Sequence, residues 1–113
     1  MPSEICDLTK KKCKPCEGGV PPLDAAETKR FLSETPGWKL SPNGKEIFRD
    51  FVFEDFVQAL AFVNRVGEVA ESEGHHPDIL LFQYRNVRIT LWTHAVGGLT
   101  ENDFIVAAKI SAF

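Results

Sequence analysis

The sequence predicts an α+β domain, a four-stranded antiparallel sheet with helices packed on it, in the order α-β-β-α-β-β-α. Three observations predict it. Two pairs of β-rich runs each flank a short turn signal, which gives two hairpins rather than parallel crossovers. Between the pairs, the apolar period lengthens from two residues to three or four. The 113 residues, 43% hydrophobic and 26% charged, fill one modest core but not two.

Residues 1–22 read as a flexible N-terminal tail, where lysines, Pro15, Gly18-Gly19 and Pro21-Pro22 interrupt any period, and residues 23–113 read as a single domain. Asp24 is a suitable N-cap with Glu27 at capping-box spacing, so a first helix is expected to about Glu34, with Ala25 or Ala26, Phe31 and Leu32 inward. It stops before Pro36-Gly37. Trp38-Lys39-Leu40 is a short strand, Pro42-Asn43-Gly44 a turn, and Glu46 to Phe53 the answering strand. From Asp55, apolar residues at Phe56, Leu60, Val63, Val66 or Gly67, and Ala70 mark an amphipathic helix that Gly74 ends. Ile79–Gln83 and Val87–Thr93 flank a tight turn at Tyr84-Arg85-Asn86. After the break at Gly97-Gly98, Thr100 caps a last helix with Phe104, Ile105, Ala108 and Ile110 toward the core.

Charge and cysteine usage exclude several classes. The net charge is −3, yet residues 1–16 carry four lysines against Glu4 and Asp7, and the rest carries nine basic against fourteen acidic groups. A body that acidic lacks a phosphate-neutralising surface, so no nucleic-acid partner is expected. No apolar run approaches the ~20 residues that span a bilayer, so no membrane role is expected either. Nothing resembling a secretory signal follows Met1, which together with the cysteine pattern points to the cytoplasm. Cys6, Cys13 and Cys16 are odd in number and confined to the tail, which is no disulfide framework.

The chemistry concentrates in the histidines. All three, His75, His76 and His94, fall within twenty residues. His75 and His76 follow the long helix directly, and His94 ends the last strand. Antiparallel pairing sets residues near Asp78 opposite residues near Thr93, so the three are expected to share one hairpin mouth. Imidazole both donates and accepts protons near neutral pH, which suits acid–base catalysis or ligand binding. The plainer alternative is that histidines at strand ends satisfy backbone carbonyls. A histidine zinc site is a rival use, though no H-x-H or H-E-x-x-H spacing supports it. Cys13-Lys14-Pro15-Cys16 lacks the strand-then-helix setting of a redox motif; with Cys6 it leaves open a tail that binds metal. Glu71 lies four residues before His75, one helical turn if the helix persists, where a carboxylate favours imidazolium. Otherwise it is a solvated charge. Asp103, three residues after Thr100, caps its own helix and can also orient a histidine. Tyr84 and Trp92 are core or rim aromatics.

The spacing Glu71, three residues, His75-His76-Pro77, six residues, Tyr84, nine residues, His94, eight residues, Asp103 resembles the signature of the pterin-4a-carbinolamine dehydratases. The likeness runs from about Leu23 to Ala112 and includes Leu91-Trp92-Thr93-His94 and Gly97-Gly98-Leu99-Thr100. The cysteine-bearing tail is similar to that of bacterial and plant members. The resemblance implies three helices on one face of the sheet and a homodimer or homotetramer. It also implies dehydration of 4a-hydroxytetrahydropterin to quinonoid dihydropterin and water, without cofactor or metal, in recycling of the tetrahydropterin used by aromatic amino-acid hydroxylases. It assigns His75, His76 and His94 as catalytic, Glu71 and Asp103 as supporting carboxylates, and His76, Pro77, Trp92 and Thr93 as substrate contacts. Within that set, His75 and His94 are expected to move protons and His76 mainly to hold the pterin. Gly74 departs from members with an acidic residue before the histidine pair. The partnership of animal members with a homeodomain transcription factor is not carried over. The alternatives are a non-catalytic pterin-binding or regulatory module on the same fold, and a small metal-binding protein that uses the tail cysteines.

Overall fold

A computed structural model describes residues 8–13 and 21–113. Its elements are helix α1 (Ala25–Ser33), strands β1 (Lys39–Leu40) and β2 (Ile47–Val52), helix α2 (Phe56–Glu73), strands β3 (Asp78–Phe82) and β4 (Asn86–Leu91), and helix α3 (Glu101–Ser111). The order is the one the sequence predicts. The strands form one antiparallel sheet in the order β1-β2-β4-β3, so that the two hairpins meet at β2 and β4. Ile47 pairs with Leu91 and Asp78 with Thr90, which fixes one face as Ile47, Val87, Ile89 and Leu91, all buried beneath the helices. Arg88 and Asp50 pair on the other face.

Local chemistry sets the helix ends. Asp24 and Glu27 form the reciprocal capping box at α1, and the Asp55 side chain accepts from the Gln58 amide at α2. Phe31 enters the core stacked on Phe104, ring centroids 5.2 Å apart. Its neighbour on the inner face of α1 is Thr28, while Ala25 and Ala26 are exposed. Helix α3 is buried nearly all round, from Asn102 through Ala107, as its lack of a polar stripe requires.

Helix α2 faces inward at Val63, Val66 and Ala70 as the sequence predicts, but differs in its first turns. Ala59, Val66 and Ala70 are its buried line, with Phe62 and Val63 packed beside them. Phe56 and Leu60, expected inward, are exposed. Phe56 and Leu60 lie about 80° around the helix from the buried line of Ala59, Val66 and Ala70.

Part of the stretch that the sequence predicts as tail lies on the domain. Leu8–Lys10 forms a 3₁₀ turn against α3, and Leu8 is 1% exposed within the core. Lys11 Nζ pairs with Glu101 Oε2 at 2.6 Å. No helix of the described residues is long and apolar enough to cross a membrane.

Candidate active site

Two chain reversals bring the histidines together. At the end of α2, Gly74 adopts the left-handed conformation (φ 66°) and its amide bonds the Ala70 and Glu71 carbonyls. The His75 amide then bonds the Ala70 carbonyl, and the chain leaves the helix. After β4, Thr93 bridges to Gly98 and a 3₁₀ turn, His94–Val96, closes on Gly97 (φ 69°). Gly98 must be glycine, because a Cβ there would sit 2.9 Å from Pro22 Cβ.

Asp103 organises the site from beneath. Its side chain has no solvent exposure. Oδ1 lies 2.6 Å from His75 Nε2, and Oδ2 accepts from Thr93 Oγ1 at 2.8 Å and from the Thr100 amide at 3.0 Å. It therefore closes the capping box of α3 while orienting an imidazole, the double role that the sequence allows. With Nε2 committed to the carboxylate, Nδ1 is the His75 nitrogen left to face a ligand.

The other two histidines are more open. His76 Nε2 meets Glu71 Oε2 at 2.5 Å in a pair exposed to solvent. Glu71 thus serves His76 and not His75, because the left-handed turn at Gly74 ends the helical register that would have joined residues 71 and 75. His94 is exposed, and its ring lies against the Trp92 indole with centroids 3.8 Å apart.

One cavity of about 530 Å³ unites them, lined by His75, His76, His94, Trp92, Thr93 and Cys13 among others. Five of the residues expected at the site line it directly. Glu71 and Asp103 stand behind His76 and His75, and Pro77 follows His76 without lining the cavity. Thr93 is 3% exposed, and its hydroxyl is spent on Asp103 and Thr100. Among the described residues no group of three or more His, Cys, Asp or Glu side chains is placed to hold a metal ion. Cys6 and Cys16 lie outside the described residues. A second cavity of about 500 Å³, between β2, α2 and the end of α3, is lined by phenylalanines with Arg49 and Arg65 and holds neither histidine nor acidic side chain.

Sequence reasoning missed Glu73, Asn102 and Cys13 on the cavity wall. Glu73 is 3% exposed, bonds Lys109 Nζ, and accepts from the Cys13 amide at 2.8 Å. Burial pulls its pKa upward, but the bonds from Lys109 and Cys13 outweigh that and hold the carboxyl below its ordinary range. Burial, reinforced by the Glu73 charge, pushes the Cys13 thiol up to about 12, so it stays protonated at neutral pH. Its Sγ lies 3.6 Å from the Asn102 carbonyl. The available signal was the Glu73 and Lys109 pair of opposite charges, but nothing in the sequence joins them.

Residues 21–113 match the family model described as pterin 4 alpha carbinolamine dehydratase. A protein of Halorhodospira halophila, provisionally named a pterin-4-alpha-carbinolamine dehydratase, is 53% identical over 106 residues, covering 93% of this chain and 95% of its own. One from Nitrosomonas europaea with the same provisional name is 49% identical, covering 96% and 94%. Among solved structures, a transcriptional coactivator/pterin dehydratase from Brucella melitensis superposes with a TM-score of 0.76 at 34% identity, over 80% of this chain and 96% of that one. A pterin dehydratase-like protein identified as a RuBisCO assembly factor in the alpha-carboxysome superposes with a TM-score of 0.57 at 27% identity, over 67% and 87%.

Proposed function

The chain belongs to the pterin 4 alpha carbinolamine dehydratase family, and from that premise we propose that it dehydrates a 4a-hydroxytetrahydropterin to the quinonoid dihydropterin and water. The observation that carries this reading is a single cavity lined by three imidazoles, two of them held by separate carboxylates. The reaction needs a proton delivered to the departing C4a oxygen while the N5 lone pair forms the new N5=C4a bond. A proton must then leave the resulting cation. One imidazolium supplies the first proton and one neutral imidazole accepts the second, each group contributing on the order of 10²–10⁴-fold. His75, through Nδ1, and His94 take these roles. His76, tied to Glu71 at the rim, holds the pterin, with Trp92 as a face for its ring.

The same reading covers setting and assembly. The enzyme works in the cytoplasm in recycling of tetrahydropterin, and as a homodimer or homotetramer. Exposed apolar side chains on β3 (Ile79, Leu80) and α2 (Phe56, Val57, Leu60) support association between copies.

Dehydration of 4a-hydroxytetrahydropterin by the wild type, His75→Ala and His94→Ala tests the proposal. Turnover in the wild type with kcat losses of about 10²–10⁴-fold in each variant is expected. His94→Ala should keep stability within about 0.5 kcal/mol. His75→Ala should cost about 1–3 kcal/mol, because Asp103 Oδ1 is left buried without its partner. A second reading, a non-catalytic pterin-binding or interaction module, is favoured by the likeness to the RuBisCO assembly factor. Pterin binding with no turnover in the wild type decides for it.

A further inference from the structure

Residues 8–13 precede the part of the chain that matches the family model, yet they reach the histidine cavity. Three anchors hold them there. Leu8 is seated in the core against α3, Lys11 pairs with Glu101 in the first turn of α3, and the Cys13 amide bonds Glu73, the last residue of α2. Glu73 is the unusual group. A carboxylate 3% exposed is costly unless donors surround it, and here the donors are Lys109 Nζ and the Cys13 amide. Its two oxygens join α2, α3 and the N-terminal segment one residue before Gly74 and two before His75. The hydrogen bonds of His75, His76 and Asp103 involve none of residues 8–13.

We infer that Cys13, latched through its amide to Glu73, forms a wall of the pterin pocket and sets how tightly substrate is held. The inference rests on the reading of the site as a pterin site. Cys13 lines the cavity and its hydrogen bonds go to Glu73 and Asn102, not to the histidines, so its contribution falls on binding and not on the chemical step. Cys13 suits a wall: it is small, its thiol is neutral, and it places no charge beside an uncharged ring.

The test uses the full chain and 7,8-dihydropterin, which lacks the 4a-hydroxyl and cannot be dehydrated. Titrated into ¹⁵N-labelled protein, it is expected to shift the Cys13 amide together with those of His75, His76 and His94. In parallel, Cys13→Phe, which pushes a ring into the cavity, is expected to raise KM at least tenfold, with kcat falling less than KM rises. Cys13→Ser, of equal size, should show a far smaller rise. Histidine signals that move while Cys13 stays still would overturn the wall and leave the dehydratase reading intact, as would an unchanged KM in a folded Cys13→Phe. No shift anywhere, with no turnover in the wild type, would overturn both. Should Cys13→Phe fail to fold, the titration of the unaltered chain decides alone.

Discussion

Asp103 holds His75 with one oxygen and two protein donors with the other, from a position with no solvent exposure. A carboxylate so placed sets the direction of the imidazole and favours the tautomer with its hydrogen on Nε2, leaving Nδ1 as the other ring nitrogen. Asp103→Asn should preserve most of the capping box, since the amide oxygen still accepts from the Thr100 amide. Its NH₂ group, however, would face His75 Nε2 and favour the opposite tautomer. We expect kcat to fall at least tenfold, toward the 10²–10⁴ range of a lost acid or base, with a stability cost of about 1–3 kcal/mol. Steady-state kinetics beside urea unfolding check both, and an unchanged kcat would remove Asp103 from the mechanism. The cap was readable in the sequence, because three residues past Thr100 is local geometry, whereas the contact with His75, 28 residues away, was allowed by the sequence and not fixed by it. The partner of Glu71 was not readable. Helical spacing pointed to His75, and the single left-handed residue at Gly74 moved the partnership to His76.

Helix α2 ends on the charge that ties three segments together. Glu73 has its carboxyl held below the ordinary 4.5, its burial being outweighed by Lys109 and the Cys13 amide. A depressed carboxylate contributes stability that is fully present above its unfolded value and is lost as the pH falls through its folded value. Wild type should therefore lose stability between about pH 4.5 and lower pH in a way that Glu73→Gln does not. At pH 7 the variant should be about 1–3 kcal/mol less stable, discounted from a fully buried pair because Lys109 retains some exposure. Urea midpoints for both proteins from pH 7 to pH 3 should converge at the acid end, and parallel curves would assign the loss to packing alone. At this scale, element order, both hairpins and both capping boxes could be read from the sequence, because turn and cap chemistry is local. The seating of the first turns of α2 could not. Val66 and Ala70 were legible from the period, but in the first turns Phe56, Ala59 and Leu60 are all apolar, and only the fit against neighbouring elements chooses Ala59.

Over the whole molecule, the convergence of the histidines followed from strand register, but the joining of the N-terminal segment to their cavity did not. Burial of Leu8 is decided by a space between elements far away in sequence, and a lysine run with prolines and glycines shows no period that would reveal it. The same sort of non-local matching governs assembly. Strand β3 pairs only with β4 among the described strands, so its outer edge offers unpaired backbone donors and acceptors. Ile79 is 38% exposed on the face shared with Ile89, toward α2, where Phe56 and Leu60 are also exposed. An apolar strand edge beside an apolar helix flank is an aggregation hazard in a monomer, and a twofold pairing of two such edges removes it. Ile79→Lys should place a charge in that seam and release monomers of 12.6 kDa from a wild-type dimer or tetramer at micromolar concentration. Sedimentation equilibrium measures this directly, and a wild type that sediments as a monomer would refute it. Strand β3 begins directly after His75-His76-Pro77, so twofold pairing along it would stiffen the stretch that carries two of the three imidazoles. The monomeric variant should therefore bind 7,8-dihydropterin more weakly than the wild type while its secondary structure, followed by circular dichroism, is retained.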